Sequence, residues 1–243
     1  MQTRPLKHLT LEKIVDAAYF CGIDGTPVSV MIGAPPGSGK TWSTSALSEI
    51  ELVIYQNTPL SPTQFRKRIC KSARRMKCLI VDDLAFIERW DQDQYYNTFN
   101  MIHDGEIGHG QYNDEDHAFI KTSMILTCTW DYYHSHKKTM AGCGLMDRVI
   151  PCILQLSDET RLKYQELIIN SITAGSYTGN PPFRKPTSEG ENTGYKSDLL
   201  ITKNVDPRLL TNLMRISQYL TIEETEELSD MAHAIDHSRY YLI

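Results

Sequence analysis

The sequence predicts an α/β protein, with a three-layer core around a mostly parallel five-stranded sheet and a small α-helical lid after it. Three observations carry that expectation. Short apolar runs recur at Val28–Ile32, Leu52–Tyr55, Cys78–Val81, Thr122–Thr127 and Ile150–Leu156, each of a length that suits a buried strand. Segments of helical periodicity alternate with several of them, the pattern of strand–helix–strand units. A glycine- and proline-rich stretch, Gly33–Gly39, follows the first run directly and separates it from a helical segment.

Taken in order, Leu9–Phe20 places Leu11, Ile14, Val15, Ala18 and Tyr19 on one face of an amphipathic helix. Gly22–Pro27 is a turn before the first strand. Lys40–Ile50 reads as a helix. Ser61 is placed to cap a helix running to about Met76, and Asp91–His103 is a further helix. Gly105–Lys121 is a candidate hairpin before the fourth strand. The composition shifts after about Asn170, and Gly175–Gly194 reads as a long, mobile loop rich in Gly, Pro, Ser and Thr. Two amphipathic helices follow near Pro207–Leu220 and Glu223–Tyr240. In the first, Leu209, Leu213, Ile216 and Leu220 are spaced for a packed face. The division expected is a core over 1–157 and a helical lid over 158–243. There are no internal repeats.

Composition narrows the class. A chain of 243 residues with 41% apolar and 23% charged residues suits one sizeable domain or a core plus a small lobe. No stretch of eighteen or more apolar residues is present, which argues against a transmembrane helix. The N-terminus lacks the apolar core of a secretory signal. The six cysteines form no CxxC pair and no zinc-finger spacing, so they read as reduced, buried thiols of a cytoplasmic protein. The net charge of −5 does not by itself point to a nucleic-acid binder.

The strongest chemical signal is Ala34-Pro35-Pro36-Gly37-Ser38-Gly39-Lys40-Thr41. Glycines allow tight turns that aim backbone amides inward at phosphates, and the start of the next helix adds positive potential. Lys40 would reach the β- and γ-phosphates of ATP, and the Thr41 hydroxyl would ligate Mg2+. The strict phosphate-loop pattern begins with Gly, whereas Ala34 stands here with Gly33 before it. Downstream, the apolar run Cys78–Val81 ends in Asp82-Asp83, a Walker B arrangement. Asp82 would hold the magnesium through water, and Asp83 would orient or deprotonate the attacking water.

Beyond these motifs the chain resembles AAA+ ATPases over nearly its whole length. Ser123–Thr129 is similar to the family's strand ending in a polar sensor of the γ-phosphate, a role that would fall to Thr129, with Thr127 as the alternative. Gly144–Arg148 resembles the segment with the arginine finger, which implies that Arg148 reaches ATP on a neighbouring subunit. Ser157–Arg161 resembles the turn into the lid, with Arg161 structural. Asp206–Ser217 is similar to the lid helix of the minichromosome-maintenance and MoxR-type branches, and there Arg208 matches the second sensor. The Asp-Asp-Leu ending resembles helicase loaders and replication initiators. The short spacing from Lys40 to Asp82 resembles superfamily 3 helicases. The resemblance implies a homo-oligomer, a hexameric ring or a filament.

The target of such a motor is less legible. Arg66, Lys67, Arg68, Lys71, Arg74, Arg75 and Lys77 form a basic stretch without an acid, which suits nucleic acid, a solvated helix, or a contact with acids on another subunit. Against nucleic acid, the hairpin tip Asn113–Asp116 is acidic. His103, His109 and His117 near the hairpin offer a weak metal reading, and the acidic face Glu223, Glu224, Glu226 and Glu227 reads as solvated. Three functions stay open: an ATP-driven remodeller or translocator of nucleic acid in a replication-type process, a MoxR-like chaperone acting on a protein complex, and a P-loop kinase.

Overall fold

The computed structural model describes residues 9–108, 118–154, 162, 166, 169, 193–202, 205 and 207–240. Helix α1 (Leu11–Ile23) starts at Thr10, whose hydroxyl accepts from the Lys13 amide. Strand β1 (Ser29–Gly33) leads through the glycine-rich loop into α2 (Lys40–Ser45). Then come β2 (Val53–Gln56), α3 (Pro62–Ser72), β3 (Cys78–Val81), a 3-10 turn (Leu84–Arg89) and α4 (Gln92–Asp104). Strands β4 (Glu106–Ile107) and β5 (Ala118–Phe119) precede β6 (Ser123–Cys128), α5 (Trp130–Gly142) and β7 (Ile150–Ile153). The C-terminal part holds α6 (Thr193–Thr202), α7 (Pro207–Ile216) and α8 (Ile222–Tyr240).

Strands β2, β3, β6, β1 and β7 form one sheet in that order, and every neighbouring pair is parallel. The five expected strands are all present. The expected hairpin appears as the antiparallel pair β4–β5, and its acidic tip lies outside the described residues.

The layering follows from alternation along the strands. Val30, Ile32, Cys78, Ile80 and Ile125 face a cluster with Ile14, Val15 and Ala18 of α1. Met31, Leu79, Val81, Met124 and Leu126 face the other way, against Phe65 and Ile69 of α3 and Tyr95, Phe99 and Ile102 of α4. Both sheet faces are thus covered, as a parallel sheet requires. Leu200, Leu209, Leu213, Ile216, Leu220 and Leu228 belong to the α1 cluster. The described part of the segment expected as a lid therefore packs on the α1 face of the sheet. Of the expected loop Gly175–Gly194, residues 175–192 lie outside the described residues, as does Arg161, and Thr193 and Gly194 instead open α6.

Among the boundaries that differ from the sequence expectation are the ends of α2 and α3. Helix α2 ends at Ser45 instead of continuing to Ile50, and turns replace its last part. The hydroxyls of Ser43, Thr44, Ser45 and Ser48 donate to nearby backbone carbonyls, which competes with helical bonding. Helix α3 stops at Ser72, short of Met76, and turns complete the segment. Its start is as expected: Ser61 and Gln64 form a reciprocal capping box with Pro62 in the first turn.

Candidate functional site

Because the main sheet is parallel, its strands all end at one edge. That edge gathers the ends of β1, β3 and β6, with the glycine-rich loop above them. The loop turns on Gly37 (φ 74) and Gly39 (φ 84), left-handed conformations that a side chain resists. A Cβ at either position would meet no atom within 4 Å, so the space in front of the loop is open.

Polar groups are left unpaired there. The amides of Gly37, Gly39, Lys40 and Thr41 donate to nothing among the described residues. The Ser38 hydroxyl is buried and also without a partner among them. A buried polar group without a bond costs roughly 1–3 kcal/mol, and an anion in the loop would offset it. Lys40 Nζ folds back over the loop and donates to the carbonyls of Ala34 at 2.8 Å and Pro35 at 3.0 Å. Burial holds its pKa below the usual lysine value, opposed by Cys128, Asp83 and Asp82.

The two carboxylates lie beside the loop. Asp82 is buried, and Thr41 donates to its Oδ1 at 3.3 Å. Strand β6 separates β1 from β3, and its Leu126 pairs with Val81, which puts Thr127 level with Asp82. Thr127 donates to Asp82 Oδ1 at 3.0 Å and accepts from the Asp83 amide at 2.8 Å. Tyr55, at the end of β2, donates to Asp82 Oδ2 at 2.8 Å. Burial raises the Tyr55 pKa, so it stays a donor. Asp83 is exposed and has φ 66 and ψ 95, the only positive φ outside glycine among the described residues. Its Oδ1 accepts from the Ala85 amide at 3.1 Å.

The structure therefore brings Lys40, Thr41, Asp82, Asp83 and Thr127 together. Thr129, the expected sensor, is instead the N-cap of α5, where its hydroxyl accepts from the Tyr132 amide at 3.2 Å. Strand β6 ends at Cys128, so Thr129 caps the helix and Thr127 touches the Asp82 carboxylate and the Asp83 amide.

Arg148 is at the other edge of the sheet. It precedes β7, whose Ile150 pairs with Val30 near the start of β1. About 13 Å of strand separates Ser29 from Gly33 at ~3.3 Å per residue, so Arg148 does not reach the loop of its own chain. Its guanidinium grips Asp104 at the end of α4 through two bonds of 2.9 Å and also donates to Gly144. His103 beside it pairs with Ser29 Oγ at 3.0 Å and is not part of a metal cluster among the described residues; His109 and His117 lie outside them. Arg208 is the second residue of α7, one turn before Asn212, which donates to the Arg148 carbonyl at 3.2 Å.

The basic stretch lies on α3 and the turn after it. Lys67, Arg68, Lys71, Arg74 and Arg75 are exposed, and none of residues 66–75 makes an ion pair among the described residues. Arg66 is half-buried with an unpartnered Nε. Arg68 reaches back to β2, donating to Gln56 Oε1 at 2.8 Å.

Among the described residues no group of three or more His, Cys, Asp or Glu side chains could hold a metal. The sparse oxygen set of Thr41 and Asp82 is nonetheless the kind magnesium takes, since that ion keeps waters and shares phosphate oxygens. The sequence pattern does not single out Tyr55. No family model and no curated protein matches the chain.

Proposed function

We propose that this chain is a P-loop ATPase of the AAA+ type that couples ATP hydrolysis to remodelling or moving nucleic acid. The observation that carries the ATPase reading is the meeting of unpaired loop amides, Lys40 and Thr41 with Asp82 and Asp83 at one sheet edge. The amides of Gly37, Gly39, Lys40 and Thr41 would cradle the phosphates, and Lys40 would exchange its two loop carbonyls for phosphate oxygens. Thr41 and Asp82 would hold magnesium, which supplies charge neutralisation at the β- and γ-phosphates when bound. Asp83 stands exposed at the edge to orient or deprotonate a water. Thr127, bonded to the Asp82 carboxylate and to the Asp83 amide, is the better placed sensor of the γ-phosphate. Arg148 would act on a neighbour, and Arg208 stays a second-sensor proposal by resemblance.

ATP turnover by the purified chain, lost in Lys40→Ala, tests this. Full turnover in Lys40→Ala would refute it. The nucleic-acid target rests on the exposed cations of α3 and the turn after it, which make no ion pair among the described residues. Hydrolysis stimulated by DNA or RNA and weakened steeply by salt would support it. No binding at low salt would instead favour the chaperone reading, in which the target is a protein complex.

A further inference from the structure

We infer that Tyr55 is a positioning residue for magnesium, fixing which oxygen of Asp82 faces the nucleotide; this rests on the ATPase reading above. Asp82 is buried, and three hydroxyls approach it. Two of them, Thr41 and Thr127, lie on Oδ1. Tyr55 alone among the described residues donates to Oδ2, at 2.8 Å. The torsion that turns a carboxylate about its own axis is soft and roughly two-fold, so the group needs an outside restraint to hold one plane. Tyr55 supplies it from a different strand.

The phenol also ties the carboxylate to the loop's helix. Its oxygen lies 3.4 Å from Thr44 Oγ1, within reach of that hydroxyl's one proton, which otherwise goes to the carbonyl of Lys40 at 3.1 Å or of Thr41 at 3.2 Å. Tyr55 thus spans the two elements that would share the ion: α2, which carries Thr41, and β3, which leads directly into Asp82. With Oδ2 engaged by the phenol, Oδ1 is the oxygen that remains beside Thr41. Magnesium demands near-ideal octahedral geometry, so a carboxylate free to rotate binds it less well. Second-shell hydrogen bonds of this kind commonly affect metal affinity by about ten- to a hundredfold.

Tyr55→Phe keeps the ring and removes the donor. The assay is binding of a fluorescent, slowly hydrolysed ATP analogue, with magnesium and with EDTA. In wild type, magnesium should tighten binding. Tyr55→Phe should lose about tenfold of that gain while its affinity in EDTA is unchanged. Asp82→Asn should lose the gain as well, and the double variant Tyr55→Phe/Asp82→Asn should lose no more than Asp82→Asn alone. A structural defect would lower affinity in EDTA too and would add to Asp82→Asn, and that outcome overturns the proposal. So does a Tyr55→Phe variant with the full magnesium gain. A wild type that binds no nucleotide overturns both this and the ATPase reading, whereas normal wild-type binding with an unaffected Tyr55→Phe sinks the Tyr55 role alone.

Discussion

Asp83 sits in a backbone conformation that only glycine adopts freely, and this separates its chemistry from its cost to the fold. At φ 66 and ψ 95 its Cβ crowds the following carbonyl. Left-handed conformations of this sort cost a side-chain-bearing residue ~1–2 kcal/mol. Glycine removes that cost but adds back ~0.4–1 kcal/mol through a freer unfolded chain. Asp83→Gly should therefore be more stable than Asp83→Ala by about 0.5–1 kcal/mol, although it has the smaller side chain. Both variants remove the bond from the Ala85 amide to Oδ1, so that contribution of ~1 kcal/mol cancels in the comparison. At ~2–4 °C per kcal/mol for a chain of this size, Asp83→Gly should melt about 1–4 °C above Asp83→Ala. Turnover should fall in both by ~10²–10⁴, the contribution of a positioned base. Urea unfolding with parallel ATPase assays measures the two effects. If Asp83→Ala is as stable as Asp83→Gly, the strain assigned to this residue is not there.

Arg148→Ala should bind nucleotide normally and lose turnover by ~10³–10⁵, as expected of an arginine finger. Mixing it with Lys40→Ala should restore part of the activity, because one chain brings an intact loop and the other an intact Arg148; normal turnover by Arg148→Ala alone would remove the finger role. Replacing Lys67, Lys71, Arg74 and Arg75 with Gln should weaken DNA binding and flatten its dependence on log salt by up to about 0.9 for each phosphate no longer neutralised, read by fluorescence anisotropy. An unchanged salt slope would separate α3 from any nucleic-acid site. Asp16, half-buried on α1, has its pKa raised from 3.8 to about 7 by burial and then by Glu12. The folded state holds that proton more tightly than the unfolded chain, so the associated stability is present at low pH and is lost as pH rises from about 4 to about 7. Asp16→Asn should therefore stabilise the protein at pH 8 by ~1–2 kcal/mol, after discounting for the exposed part of the carboxyl, and change little at pH 4. Equal stability of the two at pH 8 would contradict the shift.

The parts of the site that the sequence makes legible are those encoded locally. Gly37 and Gly39 carry their turn in their own backbone freedom, and Asp82 is read from the apolar run that ends in it. The sheet is legible for the same reason, since strands buried on both faces are short unbroken apolar runs. What is not legible depends on register and on distant partners. Choosing between Thr127 and Thr129 requires knowing that β6 stops at Cys128, a boundary that decides which hydroxyl meets the acids. The local signal for it is Thr129 ahead of a helical run with Asp131 in its first turn, a cap pattern. Tyr55 and Asp82 are 27 positions apart, and only the pairing of β2 with β3 brings them together. Asp104 and Arg148, 44 positions apart, meet because α4 and β7 share the opposite edge. The end of α2 escapes a reading of periodicity because four hydroxyls compete for carbonyls that a longer helix would have used.

The distance between Arg148 and the loop has a consequence for symmetry. An assembly in which Arg148 of one chain completes the nucleotide site of the next must join unlike surfaces, the starting edge of one sheet to the finishing edge of another. Such a contact is heterologous. A two-fold axis relates a surface to itself, so a simple isologous dimer in which both chains do this would need each protomer to present both edges to the same partner at once. Repeating the contact instead propagates it in one direction, and the sequence of copies either closes by rotation or grows without limit. The number of competent sites then depends on closure: a closed assembly of n chains has n complete sites, while an open one always leaves one site at an end without its arginine.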